Sequence, residues 1–176
     1  MMRNRIIAMI ILLFAGATVY LNMFQSKDAA KSADTAPQAG YLAPSFELAS
    51  LEGQPYRVGG SRDKPLLLNF WASWCGPCRQ EAPDLKALYD QYKDRLDLYA
   101  VNATHQDTIA DVRETVKEFD FRFPILLDPK GDATGSYQVR AIPTSFLIDK
   151  SGKVVDVLYV MEREQLEQKI KKLISD

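Results

Sequence analysis

The chain has 176 residues, with 22 Lys or Arg against 23 Asp or Glu, for a formal net charge of −1. No basic cluster interrupts that balance, which argues against nucleic acid as a partner. Two cysteines and one histidine are too few to complete a four-coordinate zinc site of the Cys/His kind.

The first predicted element is an apolar helix over Ile6 to Phe24, a run without charged residues. It is long enough to cross a hydrocarbon core, which takes about 20 residues for about 30 Å. Arg3, Arg5 and the free amine bias the N-terminus to the cytoplasm and leave the rest of the chain outside. A cleaved signal peptide is the rival, with Ile6 to Phe14 as its apolar region and Ala15-Gly16-Ala17 as a small-x-small cleavage site. The apolar run continues through Val19, Tyr20, Leu21, Met23 and Phe24 with no polar region, which favours an uncleaved single-pass anchor. No cysteine follows it to carry a lipid. The chain thus divides into an anchor over 1–24, a small and polar tether over 25–40, and one domain over 41–176. Outside the anchor, 20 basic residues face 23 acidic ones, a net charge of −3.

Within the domain, Phe46-Glu47-Leu48-Ala49 and Tyr56-Arg57-Val58 flank the turn-like Leu51-Glu52-Gly53-Gln54 and predict a β-hairpin. The apolar run Pro65 to Trp71 reads as a buried parallel strand, followed by a helix and by a strand from Leu96 to Asn102. Ile109, Val112, Val116 and Phe119 recur at helical spacing, so Thr108 to Phe119 is predicted as an amphipathic helix capped by Asp107 or Thr108. A short strand over Ile125 to Leu127 and a short helix over Asp132 to Tyr137 come next. Strands Ser145 to Ile148 and Val154 to Tyr159 then flank the turn Asp149 to Lys153, before a helix marked by Leu166, Ile170, Leu173 and Ile174. Alternating βαβ units followed by ββα give an α/β fold: a central mixed sheet with helices on both faces. His105, in the polar loop Asn102 to Asp107, reads as a solvated loop histidine.

The chemistry rests on Cys75-Gly76-Pro77-Cys78, which holds both cysteines at the carboxyl end of the predicted Pro65 to Trp71 strand, where open α/β sheets place their sites. At the start of a helix, this spacing brings the sulfurs within bonding distance and puts Cys75 on the helix's positive end, which favours its thiolate. In such motifs the first cysteine falls from about 8.5 to about 7 or below. A structural disulfide closing so short a loop contributes only about 2 kcal/mol, so a redox-active dithiol is the stronger reading. Pro83 falls inside the helical pattern Leu85, Leu88, Tyr89 and Tyr92, predicting a kinked helix, or else the start of a second one. Glu81 shares a face with Cys78 at i, i+3. If desolvated, it reaches the range useful for general acid-base work; an exposed glutamate near a helix start is the alternative.

The segment Asn69 to Pro83 resembles the active site of the thioredoxin superfamily, in particular its extracytoplasmic TlpA-like or ResA-like thiol-disulfide oxidoreductases. The resemblance runs from about Ala43 to the C-terminus and includes Phe123 to Asp128, Tyr137-Gln138-Val139 and Ile142 to Asp149. It implies a thioredoxin-like fold with an extra helix and strand, and a cis Pro143 lying against the active-site disulfide. Ile142 then offers backbone groups to a bound peptide; spacing alone also allows an ordinary trans turn proline. The resemblance further implies Cys75, Cys78 and Glu81 as catalytic residues, and Trp74, Gly76, Pro77, Ile142 and Pro143 as the substrate-binding surface. Asn69 departs from the aspartate usual in thioredoxins, and Glu81, characteristic of the TlpA-like branch, is the carboxylate that stands in.

The expected activity is protein-disulfide reduction by thiol-disulfide exchange, without cofactor or metal. The Gly76-Pro77 dipeptide is that of reducing thioredoxins, near about −270 mV, rather than strong oxidants near about −120 mV. The resemblance implies a monomer supplied with electrons by a membrane donor of the CcdA or DsbD type. Its substrates would be apocytochromes c or other envelope proteins. Oxidation or isomerisation of envelope disulfides is the alternative. A copper-handling module needs a wider cysteine pair and a nearby histidine. A thiol peroxidase needs a Thr-x-x-Cys setting, where this chain has Ala72-Ser73-Trp74-Cys75.

Overall fold

The apolar run Leu66-Leu67-Leu68-Asn69-Phe70-Trp71 is buried at every position, as a strand covered on both faces must be. In the structure, a computed structural model that describes residue 20 and residues 34–175, this run is β3 and forms the middle of a five-stranded sheet. An N-terminal hairpin, β1 (Phe46–Ala49) and β2 (Pro55–Val58), precedes it. β3 pairs in parallel with β4 (Asp97–Asn102), which pairs in parallel with β5 (Ile125–Leu127). On its other side lie the antiparallel β6 (Thr144–Ile148) and β7 (Val154–Leu158), giving the order β5-β4-β3-β6-β7. A central mixed sheet is what the element order predicts.

Side-chain alternation along β3 splits the core in two. Leu67 and Trp71 point into a layer built with Leu85, Leu88 and Tyr92 of α1 (Gly76–Tyr92), Val112 of α2 (Ile109–Glu118), and Leu166, Ile170 and Leu173 of α4 (Arg163–Ser175). Leu66, Leu68 and Phe70 point into the other layer, closed by Val58 of the hairpin, Ala133 of α3 (Asp132–Ser136) and Tyr137. Helices therefore cover both faces, three on one and a single short one on the other, where the hairpin completes the cover.

Local chemistry fixes the junctions. Thr108 rather than Asp107 caps α2, its hydroxyl accepting the Asp111 amide at 3.1 Å, and Asp107 is thereby free for another role. α3 begins at Gly131, which sits at φ +74° with the His105 ring 3.3 Å from where a Cβ would stand. The fully buried Asp128 carboxylate accepts the Thr134 amide at 2.8 Å and its hydroxyl at 2.7 Å. α1 runs unbroken through Pro83, so this proline does not start a second helix.

The expected anchor over 1–24 and residues 25–33 of the expected tether lie, Tyr20 apart, outside the described residues. Among the described residues no helix is long and apolar enough to cross a membrane. Residues Ala36–Asp176 form a compact unit of their own. It already includes the last stretch before position 41, because Gly40 donates its amide to the Val154 carbonyl at 2.8 Å.

Tyr137 joins these layers: 1 % exposed, it packs against Phe46, Phe70 and Phe146 and donates its hydroxyl to the Pro44 carbonyl at 2.9 Å. Tyr137→Phe keeps the ring contacts and orphans a buried carbonyl, so chemical denaturation should show a loss of about 1–2 kcal/mol. Tyr137→Ala should cost about 3–5 kcal/mol by leaving a cavity. Equal losses for the two would show that the hydroxyl contributes nothing.

Candidate active site

A strand that ends in the middle of the sheet must hand the chain to α1 within a few residues, and Ala72-Ser73-Trp74 makes that turn. Cys75 is the N-cap of α1, and its sulfur accepts the Cys78 amide at 3.2 Å. This is one of the amides a helix start leaves without a partner. Pro77 occupies the first turn, where its missing N–H costs nothing. The first turn carries no acidic residue, so no carboxylate there opposes a thiolate. The two sulfurs form a disulfide, with Cα atoms 5.2 Å apart. Exposure does not separate the cysteines, at 4 % for Cys75 and 6 % for Cys78; position along the helix does.

The Ile142–Pro143 bond is cis, and the Ile142 carbonyl oxygen lies 3.6 Å from the Cys75 sulfur. The segment before β6 thus stands directly over the first cysteine. Trp74, 58 % exposed, rises beside it with its indole N–H donated to the Gln106 carbonyl at 2.8 Å. Gly76 and Pro77 are also exposed, so Trp74, Gly76 and Pro77 form an accessible rim around two buried sulfurs.

Cys78 faces inward, bordering a cavity of about 10 Å³ shared with Asn69, Trp71, Leu85, Ala100, Phe121 and Phe123. Asn69 commits its amide to the Ser145 hydroxyl at 3.0 Å, so a neutral, hydrogen-bonded group holds the place where thioredoxins keep an acid. Glu81 lies on the same inward face of α1, 8 % exposed, and not among solvated surface side chains. Burial, assisted by the charge of Asp84, pushes its carboxyl from 4.5 up to about 7. Among the described residues, Glu81 Oε2 and Trp71 Nε1 are the buried side-chain polar atoms without a hydrogen-bond partner. A carboxyl with one buried, unpartnered oxygen and a proton affinity near neutrality, one turn from an inward-facing cysteine, is suited to move a proton.

His105 is exposed; its ring contacts the Asp128 carbonyl and the Gln106 side chain, and neither cysteine. No group of His, Cys, Asp and Glu arranged to hold a metal ion occurs among the described residues. The sequence reading missed Asp107, which reaches back to Ser73 from the far end of the β4 loop. No spacing signal marks such a contact, because 34 residues separate the partners.

Comparison with known proteins agrees with this geometry. Residues 39–157 match the AhpC/TSA family. A thiol-disulfide oxidoreductase ResA of Bacillus cereus is 35 % identical over 180 residues, 98 % of this chain and 99 % of the relative. The thioredoxin-like protein YneN of Bacillus subtilis (strain 168) is 33 % identical, over 97 % of this chain and 98 % of its own. Among solved structures, StoA from Bacillus subtilis superposes with a TM-score of 0.62 at 32 % identity, covering 71 % of this chain and 95 % of that one.

The raised Glu81 carboxyl makes stability depend on pH. Between about 4.5 and about 7 the native state binds a proton that the unfolded chain has released, so stability falls as pH rises across that window. The full effect is on the order of 3 kcal/mol. Urea titrations of the oxidised protein should show Glu81→Gln gaining on the parent chain from pH 4.5 to about 7 and levelling off above. A difference independent of pH would mean that Glu81 is solvated.

Proposed function

The chain belongs to the AhpC/TSA family and is a thiol-disulfide oxidoreductase; from that premise we propose that it reduces disulfides of proteins outside the cytoplasmic membrane, held there by Ile6 to Phe24. The observation that carries the exchange chemistry is the position of Cys75 as the N-cap of α1, its sulfur on the helix's positive end with Cys78 one turn behind.

In the reduced enzyme, Cys75 thiolate attacks one sulfur of the substrate disulfide, forming a mixed disulfide and expelling the other sulfur as thiolate. Cys78 loses its proton to Glu81 and attacks Cys75, releasing the second substrate thiolate and closing the Cys75–Cys78 disulfide. Two electrons pass to the substrate. Of the two protons its thiolates take up, one is the Cys78 proton given back by Glu81 and the other comes from solvent, to which Cys75 lost its own on ionising. Ionisation of Cys78 is the harder of the two deprotonations, because its sulfur borders an apolar cavity. A carboxylate with a proton affinity near neutral supports that step. Trp74, Gly76 and Pro77 supply the contact rim, and Ile142 with Pro143 supplies backbone for strand-like pairing with the substrate segment. The Ile142 carbonyl, 3.6 Å from the Cys75 sulfur, supports this reading.

The Gly76-Pro77 dipeptide favours reduction over oxidation. Renewal of the dithiol then needs electrons from a membrane protein of the CcdA or DsbD type. An anchored domain on a tether remains within reach of such a donor. Apocytochrome c fits as substrate, since its haem-binding cysteines must be reduced before attachment.

Trapping tests the reading. Cys78→Ser should accumulate mixed disulfides on Cys75 in the membrane fraction, with exported cysteine-containing proteins as the adducts by mass. Adducts confined to cytosolic proteins, or none on Cys75, would contradict it.

A further inference from the structure

The turn Ala72-Ser73-Trp74 carries the cysteine helix and the exposed tryptophan, yet its own backbone supplies little to hold it. Within the turn, the Cys75 amide reaches the Ala72 carbonyl at 3.2 Å. The other bonds come from one segment beyond β4. The Ala103 amide donates to the Trp71 carbonyl at 3.0 Å, and the Trp74 indole donates to the Gln106 carbonyl at 2.8 Å. Asp107 takes the centre: Oδ2 accepts the Ser73 amide at 2.7 Å, and Oδ1 accepts the Ser73 hydroxyl at 2.6 Å.

The carboxylate is itself held. Asn102, with no exposed surface, donates its amide to Oδ2 at 2.8 Å, and the Thr108 amide donates to Oδ1 at 2.9 Å. Asn102 is oriented in turn by the Thr104 hydroxyl, 2.9 Å from its Oδ1, and that hydroxyl accepts the Asp128 amide at 3.1 Å. A continuous hydrogen-bonded chain thus runs from the β5–α3 junction to the residue two positions before Cys75. Partial burial works against ionisation of Asp107, but the bonds from Ser73, Asn102 and Thr108 more than offset it, so the carboxyl titrates below its ordinary range. Four donors converging on two oxygens make charge-assisted bonds, the strong and directional kind.

We propose that Asp107 is a positioning residue for disulfide exchange: by clamping Ser73, it sets Trp74 and Cys75 in the register that a protein disulfide must meet. The proposal rests on Cys75 as the attacking sulfur. A protein substrate has to dock on the Trp74 rim and the Ile142 backbone while its disulfide meets one sulfur. A small disulfide needs the sulfur alone. Small misplacements matter far more to the first.

Asp107→Asn tests this, because it preserves shape while turning one acceptor into a donor that faces donors. Exchange with a protein disulfide should fall about tenfold in kcat/KM, chiefly through KM. Exchange with a small aromatic disulfide should change less than about twofold. Acrylamide quenching should rise for the exposed Trp74 component and not for Trp71, which is 4 % exposed. Ser73→Ala removes one of the two Ser73 bonds and should act in the same direction more weakly; combined with Asp107→Asn it should add nothing. If Asp107→Asn does not fold, Ser73→Ala carries the same comparison. Equal losses for both substrates, or none for either with unchanged quenching, would overturn the proposal. Failure to form any mixed disulfide on Cys75 in the Cys78→Ser chain would instead remove the reading beneath it.

Discussion

The first amides of a helix need an acceptor, and in α1 that acceptor is a sulfur. Because Cys75 caps the helix, the Cys78 amide points at its Sγ from 3.2 Å, and the helix field acts on the same atom. Much of the surrounding architecture serves this contact. β3 is pinned between β4 and β6, so its carboxyl end has a fixed place. The inward face of α1 is locked against that sheet by Leu85, Leu88 and Tyr92. The β4 loop grips the turn between them at Ser73 and Trp74.

The charges around the sulfurs follow from the same need. A thiolate at Cys75 gains from the helix only if no nearby anion cancels the field. The first turn of α1 has no acid, and Asn69 is neutral. Asp107 is an anion, but its four donors disperse its charge over the turn and its neighbours. Glu81, with its carboxyl at about 7, is half protonated near neutral pH. In the proposed mechanism its ionised form takes the Cys78 proton, while its neutral form adds no charge against the helix field.

Much of this was legible in the sequence because it is local. The Cys-Gly-Pro-Cys spacing, the all-apolar β3, and the helical period of Val112 and Val116 each depend on residues within a turn or a strand. Glu81 was reachable by its i, i+3 relation to Cys78, although its burial depends on packing that spacing does not report. Other features were not legible, because their partners lie far apart. Local pattern offered Asp107 or Thr108 as the helix cap, and Thr108 takes that position; nothing local signalled that Asp107 bonds across the fold to Ser73. The near-equal burial of the two cysteines likewise arises from what stands over them, including the Ile142 carbonyl 67 residues away.

If helix position rather than exposure separates the cysteines, reactivity must divide them while accessibility does not. The direct measurement is alkylation of the reduced protein at neutral pH with a limiting amount of small reagent, read by mass for each cysteine over time. Cys75 should be modified much faster than Cys78, and its rate should follow a thiol titrating below the ordinary range of about 8.5. Equal rates, or faster labelling of Cys78, would contradict the assignment of Cys75 as the attacking sulfur.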